Sequence, residues 1–253
     1  MAPGEGRAVL VTGGSRGIGR AIARAFAERG DRVAVHWGRS RDRAERVLAE
    51  LPGSGHALVQ ADMADADEVG AMVDRAAQDL GGLDVLVNNA GVFTAHPPLT
   101  TSYDEWRAAW AQTLAVNLVG AANATFRAVP HLIGAGGGAV VNVTSRGAFR
   151  GEPDTPAYGA SKAGLNSFAQ SMALALAPHG ISVTCVAPGF VQTEMARDVL
   201  DGERGAAVRA QSPFGRVARP EEVAAAVLWL ASPEARFSTG TIVDVNGASY
   251  LRS

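Results

Sequence analysis

Two residues one helical turn apart carry the clearest chemical signal in the chain. Tyr158 and Lys162 stand at i and i+4 in Tyr158-Gly159-Ala160-Ser161-Lys162, a spacing that sets both side chains on one face of a helix. A free phenol titrates near about 10, too high for ready proton exchange at neutral pH. A neighbouring ammonium favours the phenolate and is expected to lower that value, toward the range where general acid–base catalysis is efficient. Composition singles out the lysine independently. Of the 23 basic residues 22 are arginine, and Lys162 alone is lysine; a chain so biased toward arginine keeps a compact, titratable ammonium at one place. Ser145 closes a β-branched run thirteen positions before Tyr158. A hydroxyl at the carboxyl end of a strand lies where open α/β sheets form their ligand crevice, and it could donate to a substrate carbonyl beside the phenol.

A second signal lies near the amino end. Thr12-Gly13-Gly14-Ser15-Arg16-Gly17-Ile18-Gly19 follows an apolar run and leads into a helical pattern. Glycines there permit a tight turn and let the backbone approach a pyrophosphate at the positive end of the helix. The strand before and the helix after supply the context that a bare glycine cluster lacks.

Elements able to position these groups alternate along the whole chain. Strands are predicted at Ala8–Val11, Val33–His36, Ala57–Gln60, Val85–Asn88, Ala139–Val143, Ser182–Val186 and Ile242–Val245. Most are continuously apolar, as strands covered on both faces are. Helical patterns fall near 17–29, 41–50, 66–80, 103–131, 157–177 and 221–231, several ended by glycine such as Gly30 and Gly81-Gly82. Alternation of this kind predicts an α/β fold with a parallel sheet and helices on both faces. The stretch 187–240 lacks a strand until its end and reads as a loop with short helices, a plausible substrate lid.

Composition narrows the function. With 25 acidic against 23 basic residues the formal charge is −2, which argues against a protein held on nucleic acid by phosphate contacts. Cys185 is the single cysteine, which rules out an intramolecular disulfide and a cysteine-cluster metal site. The histidines at 36, 56, 96, 131 and 179 show no ligand spacing, so no metal is expected. Neither a signal-like start nor an apolar run of about 18 residues is present, and the expected location is cytoplasmic.

Taken with their order, these motifs resemble the short-chain dehydrogenases/reductases over essentially the whole chain. Asn88-Asn89-Ala90-Gly91 follows the fourth strand, Asn117 lies in the next helix, and Ala187-Pro188-Gly189-Phe190-Val191-Gln192-Thr193 follows the sixth strand. The resemblance implies a doubly wound (Rossmann) seven-stranded sheet in the order 3-2-1-4-5-6-7. It implies a single dinucleotide-binding domain over residues 1–253 with a substrate-loop insertion around 190–215. It implies a catalytic set of Asn117, Ser145, Tyr158 and Lys162, with Asn117 holding a water that links the lysine to solvent. Cofactor contacts carried over by motif are Gly13, Ser15, Arg16, Gly17, Ile18, Gly19, Asp62, Met63, Asn89, Ala90, Gly91, Tyr158, Lys162, Pro188, Gly189, Val191 and Thr193.

Cofactor choice is read after the second strand. No acid appears there until Asp42, and Trp37 stands where NAD-preferring members of the family carry aspartate. Arg39 and Ser40 follow, and Arg16 adds a second guanidinium; the set suits a 2′-phosphate. NADP(H) is therefore expected over NAD(H). The expected reaction is hydride transfer to a small-molecule ketone of β-ketoacyl or secondary-metabolite type. The alternatives are an NAD-dependent dehydrogenase of an alcohol, sugar or steroid and, more remotely, a non-catalytic cofactor-binding sensor or scaffold. The closest likeness is to 3-oxoacyl carrier-protein reductases, but the positions where those enzymes dock an acidic carrier are here Gly136 and His179, without the basic residues expected. Substrate choice is placed in segments holding Phe93, His96, Arg146, Phe149, Arg150, Met195 and Phe214. A homotetramer is expected, with a dimer next, through the helices 103–131 and 157–177; Ala163, Phe168, Met172 and Leu176 are the residues suited to that packing.

Overall fold

Seven short apolar runs become one parallel sheet because each is covered on both faces. A computed structural model describes residues 6–252; the reading of the first five residues as lacking a leader lies outside them. In chain order the strands are β1 (Ala8–Val11), β2 (Arg32–Trp37), β3 (Ala57–Gln60), β4 (Val85–Asn88), β5 (Gly138–Val143), β6 (Ile181–Pro188) and β7 (Ile242–Val245). They lie in the order β3-β2-β1-β4-β5-β6-β7, every pair parallel. The expected strand order and α/β class are met. β1, β4 and β6 are buried at every position, which is why their sequences do not alternate.

One face carries α1 (Gly17–Glu28), α2 (Arg41–Glu50) and α9 (Pro220–Leu230); the other carries α3 (Ala66–Leu80), α5 (Gly120–Gly134) and α6 (Pro156–Leu176). Two separate apolar cores result. Phe26, Ile22 and Val227 lie in the first, and Leu86, Leu132 and Leu165 are fully buried elsewhere in the packed interior. The predicted 103–131 helix is one rod interrupted in the middle: α4 (Tyr103–Leu114) runs through a π turn, Ala115–Val119, into α5. Between β6 and α9 lie a 3₁₀ turn, Glu194–Ala196, and then α7 (Arg197–Asp201) and α8 (Gly205–Ala210), the short helices expected there. No described helix is long and apolar enough to cross a membrane.

The carboxyl edge of the sheet is tied together by polar groups inside it. Asn88 donates to Thr125 Oγ1 at 3.0 Å and to Asn142 Oδ1 at 2.9 Å, fastening β4 to α5 and β5. Thr12 does the same between β1 and β4. Its hydroxyl donates to the Val87 carbonyl and accepts from the Asn89 and Ala90 amides at 2.9 and 3.0 Å. All the hydrogen-bonding capacity of that oxygen is used. Thr12→Val keeps the shape and strands both amides, each worth about 1–3 kcal/mol when buried without a partner. Denaturant unfolding is expected to show a loss of at least about 2 kcal/mol, with Thr12→Ser close to the parent; equal stabilities for the two variants would contradict this role.

Candidate active site

Lys162 is buried on α6 without a carboxylate beside it. Its Nζ donates to the Val143 carbonyl at 2.9 Å, at the end of β5, and stands 5.8 Å from the centre of the Tyr158 ring. Burial drives its pKa down from 10.5 to about 8, opposed only weakly by Cys185 behind it. Tyr158 keeps part of its ring in solvent, yet its hydroxyl is deep enough that burial raises its pKa above the ordinary 10; the Ser145 hydrogen bond works against this and Glu152 works with it. The expected acidified tyrosine is thus corrected for the free protein: desolvation of the phenolate outweighs the Ser145 hydrogen bond.

Ser145 sits just past β5 with its Oγ accepting from the Gly147 amide at 2.9 Å. That bond leaves the serine's own hydrogen free to be donated toward Tyr158 or a carbonyl held between them. Gly147 has no side chain to fill this point: a Cβ there would meet Ser145 Oγ and Glu152 Cγ at 3.3 Å and the Tyr158 ring at 3.7 Å. Glu152, which the sequence reading does not single out, is therefore a carboxylate of the site, 3.6 Å from Arg146.

Asn117 lies in the π turn, a distortion that recurs at functional sites. Its Oδ1 accepts from the Val92 amide at 2.8 Å, and its Nδ2 donates to the Val92 carbonyl and to Ser161 Oγ. Ser161 in turn donates to the Tyr158 carbonyl at 2.7 Å. A Cβ on Gly91 would fall 3.3 Å from Asn117 Oδ1 and 3.6 Å from Lys162 Nζ, so these groups surround one point. The four expected catalytic residues are brought together. The Asn117 amide, however, is engaged at both ends, and acts here by fixing the Val92 loop to α6.

His96 was expected among substrate-lining residues and is instead buried. Its Nε2 accepts from the Ala157 amide at 3.2 Å and its Nδ1 faces the Thr94 carbonyl at 2.8 Å, which requires the Nδ1–H tautomer. It caps the start of α6 one residue before Tyr158. Phe93 remains at the surface, packed edge-on against the Tyr158 ring at 4.9 Å. Arg146 is also buried, donating to Gln211 and Ser249, with Phe190 under its guanidinium at 5.3 Å. Arg150 shares the Gln211 acceptor. Arg146, Phe190, Ser212, Phe214, Asn246 and Ser249 line a cleft of about 210 Å³.

The glycine loop occupies the neighbouring strand ends. Helix α1 begins at Gly17 with no side-chain cap and no acid in its first turn, so its free amides and positive end suit an anion. Gly13 and Gly17 adopt φ of 64° and 52°, and a Cβ on Gly17 would meet Thr193 at 3.3 Å. Gly19 packs on the Gly13 carbonyl, and Asn89 donates from its Nδ2 to the Thr12 and Gly13 carbonyls. Ser15 and Ile18 are half-buried beside them, as are Ala90 and Gly91 across the cleft. His36, not among the expected site residues, pins the loop: Nδ1 accepts from Gly13 at 2.9 Å while Nε2 faces the Ala61 carbonyl, and burial lowers its pKa.

At the end of β2 Trp37 is half-buried, and Arg39 and Ser40 just past it are exposed. Asp62 accepts from the Ala64 amide and is open to solvent. The Met63 side chain belongs to the core, so its main chain is what is left for a cofactor. The Val191 side chain is buried too, and the bridge to Ala218 runs through Phe190 and Gln192, leaving Val191's own main-chain groups out of the ladder. Pro188 ends β6, and the Gly189 amide donates to Val245. These residues could hold a dinucleotide along the strand ends, with Lys162 and Tyr158 at one end and the Arg16, Trp37, Arg39 and Ser40 group at the other.

Comparison with known proteins agrees with this geometry. The family model described as enoyl-(acyl carrier protein) reductase matches residues 13–248. The 3-oxoacyl-[acyl-carrier-protein] reductase FabG of Staphylococcus aureus is 38% identical over 247 residues, covering 97% of this chain and 98% of its own. The cis-4-hydroxycyclohexanecarboxylate dehydrogenase of Sinomonas cyclohexanicum is 40% identical over 243 residues, covering 95% of each. Among solved structures, a short chain dehydrogenase from Burkholderia cenocepacia in complex with NADP superposes with a TM-score of 0.88 at 37% identity, covering 97% of this chain and 98% of that one. The chain belongs to the short-chain dehydrogenase/reductase family, the NAD(P)-dependent oxidoreductases of carbonyl and alcohol groups.

Proposed function

We propose that the protein is an NADPH-dependent reductase of a ketone of β-ketoacyl or secondary-metabolite type, with Ser145, Tyr158 and Lys162 as its catalytic residues and Asn117 as their support. The observation that carries this reading is the buried, acid-free Lys162 one turn from Tyr158, with Ser145 on the phenol's other side. Bound NADPH supplies the hydride that the carbonyl carbon receives. Ser145, its oxygen already occupied by the Gly147 amide, donates its hydrogen to the carbonyl oxygen and fixes its position. Tyr158 gives its proton to that oxygen. Lys162 has three donors and uses one on Val143; the others are free for the nicotinamide ribose, and its charge favours the phenolate left behind. The uncapped start of α1 would hold the pyrophosphate, Asn89, Val191 and Thr193 would line the path to the nicotinamide ribose and amide, and Arg16, Arg39 and Ser40 would hold the 2′-phosphate. The chain acts as one domain over 1–253, in the cytoplasm.

Within that reading the substrate is a small thioester or free ketone, since the Gly134–Gly138 turn carries no charge to dock an acidic carrier. A cyclic hydroxy acid, the substrate class in the name of the Sinomonas relative, is the second candidate; the guanidiniums of Arg146, next to Ser145 in the chain, and of Arg150 converge on Gln211 and favour it. A homotetramer, with a dimer next, fits the exposed apolar residues of the long helices. The residues differ in part from those expected: Ala163 is exposed and Phe168 half-buried, Met172 and Leu176 pack on the chain's own core, and Phe126 and Leu174 are exposed besides.

NADPH consumption with a small β-ketoacyl thioester, run beside NADH, tests the function. Fast turnover with NADPH alone is expected, and turnover confined to NADH contradicts the cofactor assignment. Tyr158→Phe is expected to bind NADPH as the parent does while turnover falls about 10²-fold or more; unchanged turnover would remove Tyr158 from the mechanism. The lysine makes a stability prediction. Below about 8 both folded and unfolded chains carry its charge, and the folded state bears the cost of burying it. Between about 8 and 10.5 the folded chain has lost a proton that the unfolded chain keeps, so that cost fades as pH rises. Lys162→Met is therefore expected to be inactive yet more stable at pH 7, by up to about 3 kcal/mol. The advantage should shrink toward pH 10.5. A less stable variant at pH 7 would mean that the ammonium is well compensated.

A further inference from the structure

One carboxylate reaches across the cofactor cleft to the cations around its adenosine end. Glu194 follows Thr193 in the segment after β6, and its Oε2 lies 2.7 Å from Arg43 Nη1 and 3.9 Å from Arg16 Nη1. Arg16 belongs to the glycine loop and Arg43 to the first turn of α2, so three separate elements meet at one anion. The segment is seated there: Thr193 lies against Gly17, where a Cβ would meet its methyl at 3.3 Å. Other arginines nearby are paired inside their own helix or with its neighbour, Arg24 with Glu28, Arg41 with Glu45 and Arg20 with Glu50. Arg43 instead takes an acid 151 positions away. Arg39 has no ion pair among the described residues.

We propose that Glu194 is an internal counter-ion occupying the cations that a 2′-phosphate would use, and that Arg43 is a further specificity residue for that phosphate. The inference rests on the NADP(H) reading above. A carboxylate and a phosphate monoester compete for the same guanidinium geometry. The phosphate brings more charge and more acceptor oxygens, so it displaces the carboxylate instead of joining it. All three side chains are about half exposed, at 52%, 43% and 44% for Arg16, Arg43 and Glu194, so the internal pair is weak enough to be displaced. The Arg43 hydrogen bond holds the Glu194 carboxyl below its ordinary range, with Arg16 adding to it. The carboxylate is thus ionised at neutral pH and repels a second anion. NAD(H), with a ribose hydroxyl in that position, has no reason to disturb it. Binding of NADP(H) then releases Glu194, and with it the start of the segment that covers the substrate cleft, whereas NAD(H) leaves the segment fastened.

Calorimetric binding of NADPH, NADH and 2′-AMP to the parent, Glu194→Gln, Arg43→Gln and the double variant tests this without turnover. The exposed pair is worth a two- to fivefold effect, so Glu194→Gln is expected to bind NADPH and 2′-AMP about two- to fivefold more tightly, with NADH unchanged. Arg43→Gln is expected to weaken NADPH and 2′-AMP alone. In the double variant the gain from Glu194→Gln should be smaller than in the parent, since Arg43 is gone and only Arg16 remains to be freed. Weaker binding of NADPH and NADH alike in Glu194→Gln would overturn the proposal and make the carboxylate a clasp that retains either cofactor. A parent that prefers NADPH beside a Glu194→Gln variant of unaltered affinity would overturn it alone. A parent that binds NADH as tightly as NADPH would overturn the cofactor reading and the inference together.

Discussion

An ammonium buried without an acid is the constraint around which the rest of this molecule is arranged. Lys162 is nearly inaccessible, held by a single carbonyl at the end of β5, with a thiol pushed up to about 12 behind it. Desolvation of a charge is costly, and a fold keeps such a group only where the surroundings fix it. That fixing is visible in every direction. His96 caps the helix on which Lys162 sits, Ser161 and Asn117 tie the same turn to the Val92 loop, and Asn88 and Thr12 lock the strand ends beneath. The destabilised cation and the raised phenol are complementary halves of one electrostatic arrangement, completed when a cofactor and a carbonyl enter.

The cofactor side follows the same logic with opposite sign. Helix α1 is left uncapped and free of acid in its first turn, while α3 and α4 begin with side-chain caps and acidic residues. An unmet positive end is kept where an anion belongs. His36 holds the glycine loop from below as a neutral imidazole, a state its burial enforces. Both histidines near the site act through which ring nitrogen accepts, and neither touches the reacting atoms.

Much of this was legible in the residues. The i, i+4 spacing of Tyr158 and Lys162 and the lone lysine among arginines pointed to the catalytic face, and continuous apolar runs located the strands because both faces are covered. What escaped the sequence escaped it for physical reasons. A π turn adds one residue to a helix and shifts the phase of its apolar pattern by only that residue, a step too small to read at Asn117 in a long helical run. His36 and His96 are isolated histidines whose role depends on backbone amides far away in the chain. Thr12 looked like a motif position and proved to be a three-way hydrogen-bond node. The direction of the Tyr158 shift is not legible in a sequence, which lists charges but not burial. Met63 and Val191 come from the motif, which does not tell that their side chains are buried, and Met172 and Leu176 are expected on an outward face where the chain's own core takes their side chains. Glu152 and Glu194 carry no spacing signal at all; only the fold brings them to the cleft.

The central claim, that burial holds Tyr158 neutral until the site is filled, is tested most directly by titrating that phenol. The chain has only three tyrosines, so ultraviolet difference spectra of the parent against Tyr158→Phe isolate the one signal. Tyr158 is expected to ionise above the ordinary range in the free protein, where Lys162 has already lost its proton, and at clearly lower pH once NADP⁺ is bound, because the nicotinamide then brings a positive charge beside the phenolate. A Tyr158 that already ionises below the ordinary range in the free protein, or one that NADP⁺ leaves unmoved, would contradict the account.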